Sequence, residues 1–124
     1  MASGYRIKKW SEPHAPNAAM LRYLLAAEGY NVYQWCDRPG ALYGSHKHDT
    51  DQSHWIISGT LELNVQTVGT FLLSAGDRDF MPAQTYHSAR VIGDEPVLYL
   101  VGEKAIVPVI EKARPRSRSR KKPK

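Results

Sequence analysis

Two histidines separated by a single residue, His46 and His48, lie near the middle of the chain. Because side chains alternate along a β-strand, we expect a strand over residues 41–48 to place both imidazoles on one side. Gln52 follows after a short turn, and His87 lies in a second block further along the sequence. Three neutral imidazoles and one side-chain carbonyl, brought together by two strands, suit a divalent transition metal.

The secondary-structure pattern is mostly β. Asn17 is a plausible helix N-cap and Gly29 a helix stop, so one helix is expected between them. From Tyr30 onwards, short runs of strand formers alternate with turns, which is typical of a sandwich or barrel. We predict strands over residues 5–10, 31–36, 41–48, 53–58, 60–66, 70–73, 79–81, 86–92, 97–101 and 106–110.

Length and composition indicate one domain. A chain of 124 residues suffices for a single core. We divide it into a strand and helix extension over residues 1–30, a β-barrel domain over 31–111 and a disordered basic tail over 112–124. The N-terminus has no apolar signal-peptide core and no apolar run is long enough for a membrane span, so a cytoplasmic location without membrane contact is expected. The single cysteine, Cys36, is expected to be buried in a strand.

The positive net charge belongs to the tail. Eight of the 17 Lys and Arg residues fall between Lys112 and Lys124. The other nine and all 12 Asp and Glu residues lie in residues 1–111, which therefore carry a formal charge of −3. The whole-domain basic patch of a nucleic-acid-binding fold is therefore absent. The tail itself resembles a nuclear-localisation or arginine–serine segment, with Ser117 and Ser119 as phosphorylation candidates, and predicts weak polyanion contact.

The first histidine block resembles a motif of the cupin superfamily. That motif is Gly, five residues, His-x-His, three or four residues, Glu, six residues and Gly. Gly40, His46, His48 and Gly59 match it, and Gln52 stands at the position of the glutamate.

The second block resembles the other cupin motif, which is Gly, five residues, Pro-x-Gly, two residues, His, three residues and Asn. Gly76, Pro82 and His87 match, whereas Gln84 replaces the glycine and Val91 the asparagine. The resemblance covers residues 32–101. It implies an all-β double-stranded β-helix, or jelly roll, with one N-terminal helix added.

The resemblance also implies one bound divalent transition metal, which could be Fe, Mn, Ni, Cu or Zn. His46, His48 and His87 would be ligands, with Gln52 at the position of the usual acidic ligand. Gln52 could bind the metal directly, or its amide could hydrogen-bond a metal-bound water.

His54 and Tyr86 are candidate catalytic groups that would donate or accept protons. His54 shares the strand face of Gln52, so it could act as an acid or base, replace a ligand, or simply be a buried histidine bonded to the backbone. The triplet Asp77-Arg78-Asp79 is interpreted as a solvated turn with local ion pairs, and Arg90 is expected on the face opposite His87.

An uncharged ligand set leaves the metal its full charge, which favours an anionic or carbonyl-containing small molecule. One hypothesis is a metal-dependent dioxygenase or isomerase/lyase acting on a small oxygenated metabolite. The alternative is a non-catalytic small-ligand-binding or sensor protein whose basic tail contacts a partner or nucleic acid. A homodimer is expected, through an apolar edge at residues 97–101 or through the N-terminal strand.

Overall fold

The structure is a computed structural model that describes residues 4–104. Within this range, two antiparallel sheets form the jelly roll expected from the sequence. One helix lies between the first and second strands in the chain. The elements are β1 (Arg6–Lys8), α1 (Ala18–Ala27), β2 (Tyr30–Asp37), β3 (Leu42–His46), β4 (Gln52–Ser58), β5 (Thr60–Val65), β6 (Gly69–Leu73), β7 (Arg78–Phe80), β8 (His87–Ile92) and β9 (Val97–Lys104).

One sheet has the strand order β1-β7-β4-β9-β2 and the other β3-β8-β5-β6. Alternating apolar residues such as Leu61, Leu63 and Val65 of β5 are each 1% exposed and point between the sheets. They pack against Ile56 and Val97, which are fully buried. Leu61 and Leu63 of this core also line a cavity between the sheets, together with polar side chains.

Helix α1 begins and ends where the sequence predicts. The Asn17 side chain accepts a hydrogen bond from the Met20 N–H, and Gly29 adopts φ +96° just beyond the helix. Leu21 and Leu25 are fully buried and pack in a second apolar cluster with Trp55 and Leu100. The helix therefore covers the outer face of the five-stranded sheet.

Two glycines of the histidine blocks are required by close backbone packing. Gly59 has φ +81°, and a Cβ there would lie 2.4 Å from the Pro96 carbonyl oxygen. Gly76 has φ +89°, and its Cβ would lie 2.1 Å from the Trp10 ring. Both positions turn the chain between strands, so they fix the connections on which the two blocks depend.

The predicted apolar edge at residues 97–101 is wrong. These residues belong to β9, which lies between β4 and β2, and Val97 and Leu100 are fully buried. The edges of this sheet are β1 and β2, so the N-terminal strand remains an available edge. The homodimer itself stays a prediction.

Two burial predictions are also wrong. Cys36 is exposed, because β2 is an edge strand and this side chain faces outwards. Asp77, Arg78 and Asp79 are not solvated but buried, with 6%, 4% and 0% exposure. Tertiary hydrogen bonds from distant segments hold their charges inside the protein.

Three further predictions concern Arg90, membrane spans and the C-terminal residues. Arg90 is exposed and pairs with Glu62 at 3.2 Å, away from the histidines, as predicted. Between residues 4 and 104, no helix is long and apolar enough to cross a membrane. The predicted strand 106–110 and the basic tail lie outside the described residues.

Candidate metal centre

Three histidines converge at the open end of the barrel. His46 ends β3 and pairs across the sheet with His87, which begins β8. His48 lies two residues beyond β3, so the predicted strand over 41–48 is too long and the loop places this ring. One ring nitrogen from each histidine lies within 4.8 Å of the others. The structure thus brings together all three histidines that the sequence predicts as ligands.

Backbone carbonyls fix the orientation of two of these rings. His46 Nδ1 lies 2.6 Å from the Gly44 carbonyl oxygen, and His87 Nδ1 lies 2.9 Å from that of Thr85. A carbonyl only accepts hydrogen bonds, so each Nδ1 carries the proton and each Nε2 keeps its lone pair. This arrangement is typical of metal-binding histidines.

The protein environment keeps two of the rings neutral. Burial and the neighbouring histidines lower the pKa of His87 to about 4, although its hydrogen bond to Thr85 opposes the shift. Burial and the nearby His46 and His54 also lower the pKa of His48. Neutral imidazoles are the form that binds a metal.

Gln52 is the first residue of β4 and is 5% exposed. Its backbone exchanges two hydrogen bonds of 2.8 Å with Met81, which joins the two histidine blocks. No hydrogen bond to its side-chain amide comes from residues 4–104, although buried polar groups are normally paired. An orphaned amide that lines the same cavity as the three imidazoles fits a divalent transition metal, and Gln52 as a direct ligand stays a prediction.

Gln84 forms hydrogen bonds that stabilise the loop carrying His48. This residue has φ +67°, the left-handed conformation, at the position where the motif has glycine. Its N–H donates to the His48 carbonyl at 2.8 Å, and its side chain donates to Asp49 at 3.1 Å. The chain therefore keeps the backbone shape of the motif without its glycine.

His54 lies on the same strand face as Gln52 and lines the same cavity. Its Nδ1 is 3.1 Å from both carboxylate oxygens of Asp79, which is fully buried and also accepts a 2.9 Å hydrogen bond from the Tyr5 hydroxyl. Burial lowers the pKa of His54, but the Asp79 carboxylate outweighs this effect and raises it overall. The His54 Nε2 has no protein partner among the described residues.

The other catalytic candidate, Tyr86, is not brought to the site. It is 44% exposed and outside the cavity lining, and Lys47 lies 5.2 Å above its ring. Strand β8 begins only at His87, so Tyr86 still belongs to the preceding loop. The proton-transfer role predicted for Tyr86 has no support in this arrangement.

Tyr43 and Tyr99, which the sequence predicts as core residues able to touch a ligand, line the cavity, and Glu103 is a cavity residue that sequence reasoning missed. Tyr99 and Tyr43 donate hydrogen bonds of 2.8 and 2.6 Å to opposite oxygens of Asp37. Burial, then the hydrogen bond to Asp37, raises the pKa of Tyr99. Glu103 lies across the strand pair from Gln52. Only strand register, which the sequence does not state, places these residues here.

The cavity has a volume of about 380 Å³. Its polar lining consists of the three clustered histidines with Gln52, His54 and Glu103, and apolar residues of both sheets also line it. Four aromatic side chains line the remaining wall: Tyr33, Trp35, Tyr43 and Tyr99. A volume of this size holds a small molecule in contact with the histidines.

The model of the cupin domain family matches residues 33–102, more than half of the chain. The fold and the histidine cluster agree with this match, and the protein belongs to the cupin family. Among curated protein sequences, none matches the chain significantly.

Solved structures with this fold include enzymes. DMSP lyase DddQ from Ruegeria pomeroyi is 25% identical with a TM-score of 0.57, and the alignment covers 62% of this chain and 39% of DddQ. Oxalate decarboxylase from Lactobacillus farciminis, in a formate complex, is 25% identical with a TM-score of 0.56, and 63% of this chain covers 25% of it. This chain thus spans less than half of either enzyme.

A Klebsiella pneumoniae protein with a double-stranded β-helix domain is 27% identical with a TM-score of 0.54. Its alignment covers 61% of this chain and 67% of that protein.

Proposed function

We propose that the protein is a metal-dependent enzyme that moves a proton on a small carboxylate- or carbonyl-containing metabolite, as an isomerase or lyase does. One observation carries the proposal: a histidine oriented by a buried carboxylate faces the same cavity as the three clustered imidazoles. A binding protein needs the cavity but has no need of this second, separately oriented ring.

The metal would be held by His46, His48 and His87, with Gln52 contributing its carbonyl oxygen. When bound, a divalent ion would polarise a ligand oxygen and acidify the adjacent carbon. The backbone carbonyls of Gly44 and Thr85 hold two of the rings ready, so little reorganisation accompanies binding.

His54 is the proton-transfer group of the proposal. Its ring centre lies 6.2 Å from that of His87, so a ligand on the metal centre would also reach its Nε2. Above its raised pKa, the neutral His54 ring would accept a proton at Nε2 from the carbon beside the ligand carbonyl, while Nδ1–H remains bonded to Asp79. The proton returns to a different carbon in an isomerase, or to the departing group in a lyase.

The ligand class follows from the cavity walls. Uncharged imidazole and amide ligands leave the metal its full charge, which favours a negatively charged oxygen ligand. The aromatic side chains of the cavity favour a small organic molecule. The similar oxalate decarboxylase forms a complex with formate, which supports a small carboxylate as the ligand class.

The test is a metabolite screen in deuterated water. Protein loaded separately with Fe, Mn, Ni, Cu and Zn is incubated with small carboxylates and carbonyl compounds, and mass spectrometry detects products and incorporated deuterium. We expect conversion with deuterium uptake, lost in His48→Ala and reduced about 100-fold or more in His54→Gln. The surface variant His14→Gln serves as the matched control.

Three outcomes contradict the proposal. A ligand that raises the melting temperature without conversion would indicate the sensor alternative. Dioxygen consumption without deuterium uptake would indicate an oxygenase. Equal turnover in His54→Gln and wild-type protein would exclude His54 as the proton-transfer group.

A further inference from the structure

A carboxylate lies next to the metal centre on a neighbouring strand. Glu103 of β9 is the direct cross-strand partner of Gln52 of β4, and both line the cavity with His48. Directly opposed residues of antiparallel strands share a face, with Cβ atoms about 5 Å apart. The amide at the acidic-ligand position of the motif therefore has a carboxylate beside it.

This carboxylate has no cationic partner among residues 4–104. Its hydrogen bond comes from the hydroxyl of Thr50, 3.1 Å from Oε2, in the loop between His48 and Gln52. A half-buried carboxylate without a cation is costly, and a nearby dication would offset that cost. The same loop thus joins Glu103 to two of the proposed metal-binding residues.

We propose that Glu103 supplies, from the adjacent strand, the negative charge that the cupin motif places at position 52. This inference depends on the proposed metal centre but not on the proposed reaction. Among the described His, Cys, Asp and Glu residues, the three histidines are the only group of three or more whose ligand atoms all lie within 4.8 Å of one another. Glu103 therefore acts beside Gln52, through its charge and on metal-bound water, rather than as another member of that cluster.

The proposal changes the electrostatics expected from the sequence. With Gln52 alone, a bound dication would keep its full charge. With Glu103 nearby, a carboxylate partly offsets the charge of a bound dication without itself coordinating the metal. Because Glu103 would accept hydrogen bonds from metal-bound water, it should raise affinity more for ions that keep water ligands, such as Mn²⁺, than for ions well served by imidazole, such as Zn²⁺.

Calorimetric titration of metal-free protein with Mn²⁺ and with Zn²⁺ tests the inference. We expect Glu103→Gln to weaken Mn²⁺ binding about 10- to 100-fold, and Zn²⁺ binding less. Glu95→Gln makes the same change in charge at an exposed turn outside the cavity, and should leave both affinities unchanged.

A charge exchange separates electrostatics from damage to the fold. The double variant Gln52→Glu/Glu103→Gln moves the carboxylate back to position 52, and it should recover the Mn²⁺ affinity that Glu103→Gln loses. The metal-free Glu103→Gln protein should melt at or above the wild-type temperature, because it loses an uncompensated charge.

Wild-type Mn²⁺ affinity in Glu103→Gln would overturn the inference. A double variant that binds Mn²⁺ no more tightly than Glu103→Gln would also overturn it. If wild-type protein binds neither ion, the metal centre and the inference both fail. Absence of turnover with normal metal binding would overturn only the proposed reaction.

Discussion

At the scale of single residues, Asp79 shows how one buried group orients another. Its carboxylate accepts hydrogen bonds from the His54 backbone at 2.7 Å, from the His54 ring and from Tyr5. The carboxylate is fully buried, so the imidazole is the charge partner that makes its burial tolerable. Orientation of His54 and stability of the fold therefore depend on the same contact.

We expect Asp79→Asn to lower the free energy of unfolding by about 3 kcal/mol, because it breaks a buried pair. The raised pKa of His54 makes this loss pH-dependent. The contribution is fully present below the unfolded histidine pKa of about 6.5 and is lost as pH rises through the folded value.

Urea unfolding at about pH 6 and at about pH 9 measures this effect. The difference between wild-type and Asp79→Asn protein should shrink at the higher pH, whereas Asp94→Asn at an exposed turn should be neutral at both. A difference that grows with pH would show that His54 does not carry the charge.

Gln84 provides a second prediction at this scale. A non-glycine residue at φ +67° is strained, and the side-chain bond to Asp49 is exposed and weak. Gln84→Gly should therefore stabilise the protein by up to about 1 kcal/mol in thermal unfolding. Gln66→Gly, at a residue without positive φ, should destabilise it. A loss of stability in Gln84→Gly would show that the Asp49 contact outweighs the strain.

At the scale of elements, helix α1 covers the five-stranded sheet with only part of its apolar surface. Leu25 is fully buried, whereas its neighbour Leu24 is 39% exposed. Leu25→Ala should cost about 3 kcal/mol in the free energy of unfolding, and Leu24→Ala less than about 1 kcal/mol. Equal losses in the two variants would contradict the observed docking of the helix.

Strand register explains what sequence reasoning could and could not predict. The helix ends, the strands and the histidine positions follow from capping residues, strand formers and motif spacing, which are local signals. Glu103 meets Gln52 only because β9 pairs with β4 in one particular register. The turn glycine before Asp79 led to the expectation of a solvated side chain. In the fold, Tyr5 and His54, which are distant in sequence, contact Asp79 and bury it. Tyr86 was misplaced because alternation does not extend into the loop before β8.

At the scale of the whole molecule, charge separates the barrel from the tail. Residues 113–124 carry seven of the 17 basic residues and no acidic one. We expect their removal to abolish salt-sensitive binding to single-stranded RNA, because phosphate contacts release counterions. Filter binding at about 50 mM and about 200 mM salt measures this in full-length and truncated protein. Binding that survives the truncation would place the contact on the barrel.

Both histidine blocks contribute ligands to one proposed metal centre. X-ray absorption spectroscopy of protein loaded with one equivalent of Zn²⁺ tests this most directly, because scattering from imidazole rings reveals their number. We predict three imidazole ligands in wild-type protein, two in His87→Ala, and three in the surface control His14→Gln. Fewer than three imidazoles in the wild-type protein, or a ligand lost in His14→Gln, would contradict a metal centre at His46, His48 and His87.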